Sequence, residues 1–133
     1  MNTKRILIIE DSLTDAHLFE EAIKDCGVDI GVQIVTDWAG ARLALQHSDT
    51  PLRLVLLDLN LTGVGGCEVI TLIKKTESQV PIVVFSTSSN PSDIDRCYKV
   101  GANAYIVKPY DVDQLFETMC STFKWWLDIN KIA

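Results

Sequence analysis

The chain has 133 residues, enough for one domain with one core and too few for a further catalytic or DNA-binding domain beside it. Its hydrophobic fraction of 47% and charged fraction of 23% belong to an ordinary soluble globular protein. A formal net charge of −6 argues against nucleic acid as a partner, because phosphate backbones need clustered Lys and Arg; it suits a protein that gathers carboxylates around a hard cation, although many soluble proteins are acidic without one.

Residues 1–5 lead straight into the apolar run Ile6-Leu7-Ile8-Ile9. That run is too short for a signal peptide or a membrane span, so a cytoplasmic protein with no membrane association is expected. Ser12 and Asp15 then have the spacing of a capping box, which predicts the start of a first helix. Further short β-branched runs recur at 32–35, 54–57, 82–85 and 104–107, alternating with longer amphipathic stretches. Four of the five runs are nearly continuous, as expected for strands buried on both faces. Gln33 interrupts the second, which reads as nearer a sheet edge.

Asp37-Trp38-Ala39-Gly40 opens the second helix, with Trp38 covering the edge of the core. Lys74 and Lys75 close the third helix, where cations suit the negative end of the helix dipole. Asn90-Pro91-Ser92-Asp93 supplies an N-cap, a proline at the first helical position and an early acidic residue. Lys99 and Gly101 end that fourth helix, and Asp111 with Gln114 opens the fifth. In the fifth helix Leu115, Met119, Thr122 and Trp126 fall on one face. Phe116, Phe123 and Leu127 widen that stripe, leaving Trp125 hard to bury, and an aromatic tail at about 123–133 extends the helix.

Five strands alternating with five helices predict a single α/β domain over 1–133: a three-layer, doubly wound (βα)5 fold with a five-stranded parallel sheet in the order 2-1-3-4-5. Such sheets bind ligands at the carboxyl ends of their strands, beside the switch point between strands 1 and 3. Strand 1 ends in Glu10-Asp11, strand 3 in Asp58, strand 4 in Ser86-Thr87 and strand 5 in Lys108-Pro109. Carboxylates crowded this closely repel one another unless a cation intervenes, and Mg2+ suits an all-oxygen set of Glu10, Asp11, Asp58 and the backbone carbonyl of Asn60. The same pocket suits phosphoryl transfer, with Asp58 attacking, Lys108 pairing with one phosphoryl oxygen and the Ser86 hydroxyl binding another. Taken singly these are ordinary strand-end polar residues; their convergence on one edge carries the signal.

Together these residues resemble the receiver domain of two-component response regulators, whose pattern is followed at 6–11, 55–61, 81–88 and 101–109. The resemblance implies that Glu10 and Asp11 are the acidic metal pair, Asp58 the phosphoacceptor, Ser86 the hydroxyl switch residue, Tyr105 the aromatic switch residue and Lys108 the family's lysine. It implies a cis Lys108–Pro109 bond, a histidine kinase as partner and no turnover activity beyond the domain's own phosphorylation and dephosphorylation. More narrowly, the stretches Ser86 to Asp93 and Ala102-Asn103-Ala104-Tyr105, with the aromatic tail, are similar to stand-alone regulators associated with phytochrome histidine kinases. The chain departs from the family after Asp58, where it reads Leu61-Thr62-Gly63-Val64-Gly65-Gly66 without the usual proline and aspartate; a more mobile loop is expected.

Other readings stand behind this one. An aspartate-nucleophile phosphatase would carry a second aspartate where Asn60 stands. A flavin or nucleotide module would have glycines in place of Glu10-Asp11-Ser12-Leu13-Thr14. A receiver can also act as a phosphate sink. The four cysteines, Cys26, Cys67, Cys97 and Cys120, are scattered along predicted helices and read as small buried hydrophobes. His17 and His47 read as solvent-facing. The exposed aromatic tail and the outer faces of helix 4, strand 5 and helix 5 suggest a homodimer.

Overall fold

The computed structural model describes residues 4–46, 51–60, 66–77 and 79–130. His47 and residues 61–65 of the glycine-rich stretch 61–66 lie outside them. Five strands, β1 (Arg5–Ile9), β2 (Gly31–Val35), β3 (Leu52–Asp58), β4 (Ile82–Ser86) and β5 (Ala104–Val107), alternate with five helices: α1 (Leu13–Cys26), α2 (Trp38–Gln46), α3 (Gly66–Thr76), α4 (Pro91–Lys99) and α5 (Val112–Lys124). The strands are parallel and form one sheet in the order β2-β1-β3-β4-β5. The predicted architecture and strand order are therefore correct.

Strand alternation explains the three layers. In β1, Leu7 and Ile9 enter one core with Val55, Leu57, Val84 and the buried faces of α2, α3 and α4. Ile6 and Ile8 enter the other with Leu54, Leu56, Phe85 and the buried faces of α1 and α5. A strand sandwiched this way has no polar face to show, hence the continuous apolar runs. β2, at the sheet edge, is largely exposed, as the interruption at Gln33 suggests. On the α1–α5 side, Phe19 meets Phe85 and Phe123 edge to face, with ring centroids 5.1 and 6.1 Å apart. This aromatic trio locks α1 and α5 to β4.

All three helix starts fall where the sequence places them. Asn90 Oδ1 accepts the Ser92 N–H at 2.9 Å and Asp111 Oδ2 accepts the Gln114 N–H at 3.3 Å. At α1 only half of the capping box forms: Ser12 Oγ accepts the Asp15 N–H at 3.2 Å, but the Ser12 N–H goes to Glu10 Oε2, also at 3.2 Å. Gly101 ends the α4 turn at φ 119°, and a Cβ there would sit 3.2 Å from Lys74 Cγ, so both backbone and space call for glycine. Trp38 packs against the core edge as expected, and His17 is exposed beside Glu20.

All four cysteines lie on helices and are free thiols. The fold pairs what the sequence scatters: Cys26 Sγ donates to the Cys120 carbonyl at 3.6 Å across α1 and α5. Cys97 is fully buried, and burial, with Cys67 beside it, pushes its thiol up to about 12. Cys97 agrees with the buried-hydrophobe reading, because such a thiol stays protonated and inert, whereas Cys26, Cys67 and Cys120 are only partly buried.

After α5 the chain continues into a π-helical turn, Trp125–Ile129, which Arg53 ties to the start of β3 by donating to the Trp126 carbonyl at 3.1 Å. Leu115, Met119, Thr122 and Phe123 are buried, Trp126 is partly buried, and Trp125 is 49% exposed.

Candidate functional site

Because all five strands run parallel, their carboxyl ends share one edge, and the residues named from sequence arrive there by register. Glu10 follows β1 and is fixed by its N–H donating to the Val35 carbonyl at 3.0 Å. Asp58 is the last residue of β3 and pairs with Phe85 of β4. Ser86 ends β4, and Lys108 stands one residue past β5 with its N–H on the Ser86 carbonyl at 2.7 Å. Glu10, Asp58, Ser86 and Lys108 are buried, while Asp11 is exposed at the rim.

One carboxylate oxygen each from Glu10, Asp11 and Asp58 lie within 4.8 Å of one another. Facing them, Lys108 Nζ donates to Glu10 Oε1 and Asp15 Oδ2, both at 2.8 Å, and lies 4.0 Å from Asp58 Oδ1. Burial first, and then the Asp58 carboxyl, raise Glu10 to about 8 against the pull of Lys108. Burial works against the Lys108 ammonium, but its hydrogen bonds to Asp15 and Glu10 prevail and raise its pKa. One ammonium does not balance this many carboxylates, so Glu10 keeps its proton near neutral pH. An all-oxygen donor set with surplus negative charge fits a hard divalent cation, which would take that proton's place.

The surrounding loops hold Asp58 in position. Asp58 Oδ1 accepts the Asn60 N–H at 3.0 Å, and Asn60 Nδ2 reaches Thr87 Oγ1 at 3.4 Å, linking the loops after β3 and β4. Ser86 Oγ accepts the Ser88 N–H at 3.1 Å. The Tyr105 hydroxyl donates to the Ser88 carbonyl at 2.8 Å, and the Tyr105 N–H donates to Tyr98 Oη at 3.1 Å. Ser86 and Tyr105 are thus joined through Ser88, whose hydroxyl in turn donates to Asp93 at 2.6 Å on α4.

Two features correct the sequence reading. The Lys108–Pro109 bond is trans, since no described peptide bond is cis; the trans form is the favoured one by roughly 0.5–1 kcal/mol for a prolyl bond, and Lys108 reaches both carboxylates from it. Asp15, read only as a capping residue, is a partner of Lys108. Its signal in the sequence was a carboxylate in the first turn after Glu10-Asp11, a place where capping and pocket roles look the same.

A five-stranded parallel sheet in this order, with an acidic pocket at its switch point and a lysine opposite, defines a receiver domain. The profile of the response regulator receiver domain matches residues 6–119, and the chain belongs to that family. It is a two-component signalling protein rather than a turnover enzyme, and its family implies a histidine kinase as partner. Among relatives, it is 33% identical to the response regulator Rcp1 of Synechocystis over 94% of this chain and 90% of that protein. It is 33% identical to a probable methanogenesis regulatory protein, FilR2, of Methanothrix harundinacea over 95% of this chain and 85% of the other. Among solved structures, the phosphorylated cyanobacterial phytochrome response regulator RcpA superposes with a TM-score of 0.90 at 34% identity, covering 98% of each chain. The Mn2+-bound form of Rcp1 superposes with a TM-score of 0.89 at 32% identity, covering 98% of this chain and 99% of the other. Among the described residues no helix is long and apolar enough to cross a membrane.

Proposed function

We propose that Asp58 accepts a phosphoryl group from a histidine kinase and that the change is relayed through Ser86 and Tyr105. The observation that carries this reading is the placement of Asp58: buried at the switch point, beside oxygens of Glu10 and Asp11 within 4.8 Å, and 4.0 Å from the Lys108 ammonium. The same reading takes 1–133 as one receiver domain, with α5 extended by the π-helical turn. Mg2+ held by Glu10, Asp11, Asp58 and the Asn60 carbonyl would neutralise the carboxylates and the phosphoryl oxygens.

The chain's own residues have distinct parts. An oxygen of Asp58 bonds to phosphorus as the bond from phosphorus to the leaving group breaks, and the leaving group departs with the electron pair. With an acyl phosphate donor no proton needs to move. Lys108 pairs with a phosphoryl oxygen, and the Ser86 hydroxyl turns from Ser88 to donate to another. Release of Ser88 from Ser86 loosens the strap between the β4–α4 loop and Tyr105, so the outer face of α4 and β5 changes. Asn60 disfavours a phosphatase of the aspartate-nucleophile type, because a neutral amide cannot serve as the acid/base that such a reaction needs.

The relatives associated with phytochromes make a phytochrome-type kinase the candidate donor. A homodimer through α4, β5, α5 or the aromatic turn is supported by the exposure of Tyr98, Val107, Trp125 and Ile129. Incubation with Mg2+ and acetyl phosphate, followed by intact mass measurement, tests the central reading. It expects a single phosphoryl adduct that chelator and Asp58→Asn both abolish; an adduct that persists in Asp58→Asn overturns it.

A further inference from the structure

The carboxylate of Asp15 has been released from helix capping. In a complete capping box it would accept the N–H of Ser12, but Glu10 Oε2 takes that N–H at 3.2 Å. Asp15 Oδ2 instead accepts from Lys108 Nζ at 2.8 Å, across 93 residues of sequence, with only 21% of its side chain exposed. The ammonium is shared equally with Glu10 Oε1, also at 2.8 Å, and stays 4.0 Å from Asp58 Oδ1. Asp15 is outside the set of Glu10, Asp11 and Asp58 whose oxygens cluster for a cation.

We propose that Asp15 is a positioning residue that holds the Lys108 ammonium off Asp58 in the unphosphorylated state, so that an incoming phosphoryl group must displace the Asp15–Lys108 ion pair. The proposal rests on the reading of Asp58 as phosphoacceptor. Its physical basis is competition for one ammonium. A cation at the acidic cluster would engage the Glu10 carboxylate, leaving Asp15 as the carboxylate that contends with the phosphoryl oxygens for Lys108. Both partners of the pair are largely withdrawn from water, so the contest is not screened as a surface pair would be. During transfer from acetyl phosphate the Asp58 oxygen bonds to phosphorus, acetate leaves with its electron pair, and Lys108 keeps its proton and changes only its partner. Since Asp15 lies in the first turn of α1, the exchange also unties α1 from the end of β5.

The test uses the full chain with Asp15→Asn, which keeps the side chain's size, and Asp15→Glu, which keeps its charge. In Mg2+, Asp15→Asn should reach its half-maximal phosphorylation rate at an acetyl phosphate concentration about tenfold lower, the factor set by losing one charge-assisted competitor. The maximal rate should shift by much less than the half-saturating concentration does, and Asp15→Glu should behave like the wild type. Independently of activity, the Lys108 ammonium protons should exchange slowly with water in chelator by 15N NMR, and fast in Asp15→Asn. An unchanged or higher half-saturating concentration in Asp15→Asn overturns the proposal, as does an ammonium exchange rate the substitution leaves alone. A wild type that takes no phosphoryl group removes the phosphoacceptor reading and this proposal with it, whereas normal labelling that ignores Asp15 defeats the positioning role only.

Discussion

Replacing Asp58 by Asn removes one carboxylate from the pocket while keeping an acceptor for the Asn60 N–H. The magnitude follows from the distances. At an effective dielectric constant of about 20, two like unit charges 4.8 Å apart repel by about 3.5 kcal/mol, and an ion pair at 4.0 Å attracts by about 4 kcal/mol. Above pH 8, where Glu10 is ionised, Asp58 faces two carboxylates and one ammonium, and repulsion exceeds attraction. Below it, the proton on Glu10 removes one repulsion and the remaining two interactions nearly cancel. In chelator, Asp58→Asn should therefore stabilise the fold by on the order of 1–3 kcal/mol at pH 9 and by little at pH 6. Urea unfolding followed by tryptophan fluorescence measures this, with and without Mg2+. The wild type should gain about 2.7 kcal/mol when Mg2+ is a hundredfold above its dissociation constant, and the variant much less. A variant destabilised at both pH values, with its Mg2+ response intact, would refute the reasoning.

The remaining expectations concern pH, packing and association. Glu10 in the folded chain titrates near 8, above its ordinary 4.5, so the native state keeps a proton that the unfolded chain has lost between those values. Its contribution is fully present below pH 4.5 and disappears as pH rises through 8, so wild-type stability in chelator should fall across that window, and Mg2+ should flatten the fall; a chelated protein whose urea midpoint rises over the same range contradicts this. Phe123→Ala should cost about 3–5 kcal/mol in urea unfolding, because Phe123 is fully buried against Phe19. Trp125→Ala should change stability by less than about 0.5 kcal/mol while weakening self-association in sedimentation, since this indole is half exposed; a strict monomer with and without phosphodonor removes the dimer.

The sheet and the acidic pocket were legible in the sequence for a definite reason. Strands buried on both faces can only be apolar, so the polar residue that ends each run marks where the strand meets solvent, and parallel strands bring those ends together. Glu10, Asp58, Ser86 and Lys108 were readable in that way. Asp15 was not, because a carboxylate at the third helical residue has two possible partners and only the fold decides between the Ser12 N–H and Lys108. The cysteine contacts escaped for a similar reason: Cys26 and Cys120 meet only because α1 and α5 pack side by side. In the tail, Phe123 was placed at the margin of the apolar stripe yet is fully buried, while Trp126 is only partly so. The wider π-helical turn beginning at Trp125 changes the angle between successive side chains, which a constant helical spacing does not anticipate.

The role of Asp58 is tested most directly by trapping the acyl phosphate at its site. Borohydride reduces an aspartyl phosphate to homoserine, and peptide mass spectrometry then locates the converted residue. After treatment with Mg2+ and acetyl phosphate, homoserine should replace aspartate at position 58 and nowhere else. Conversion at Asp11 or another carboxylate, with Asp58 left intact, would contradict the account.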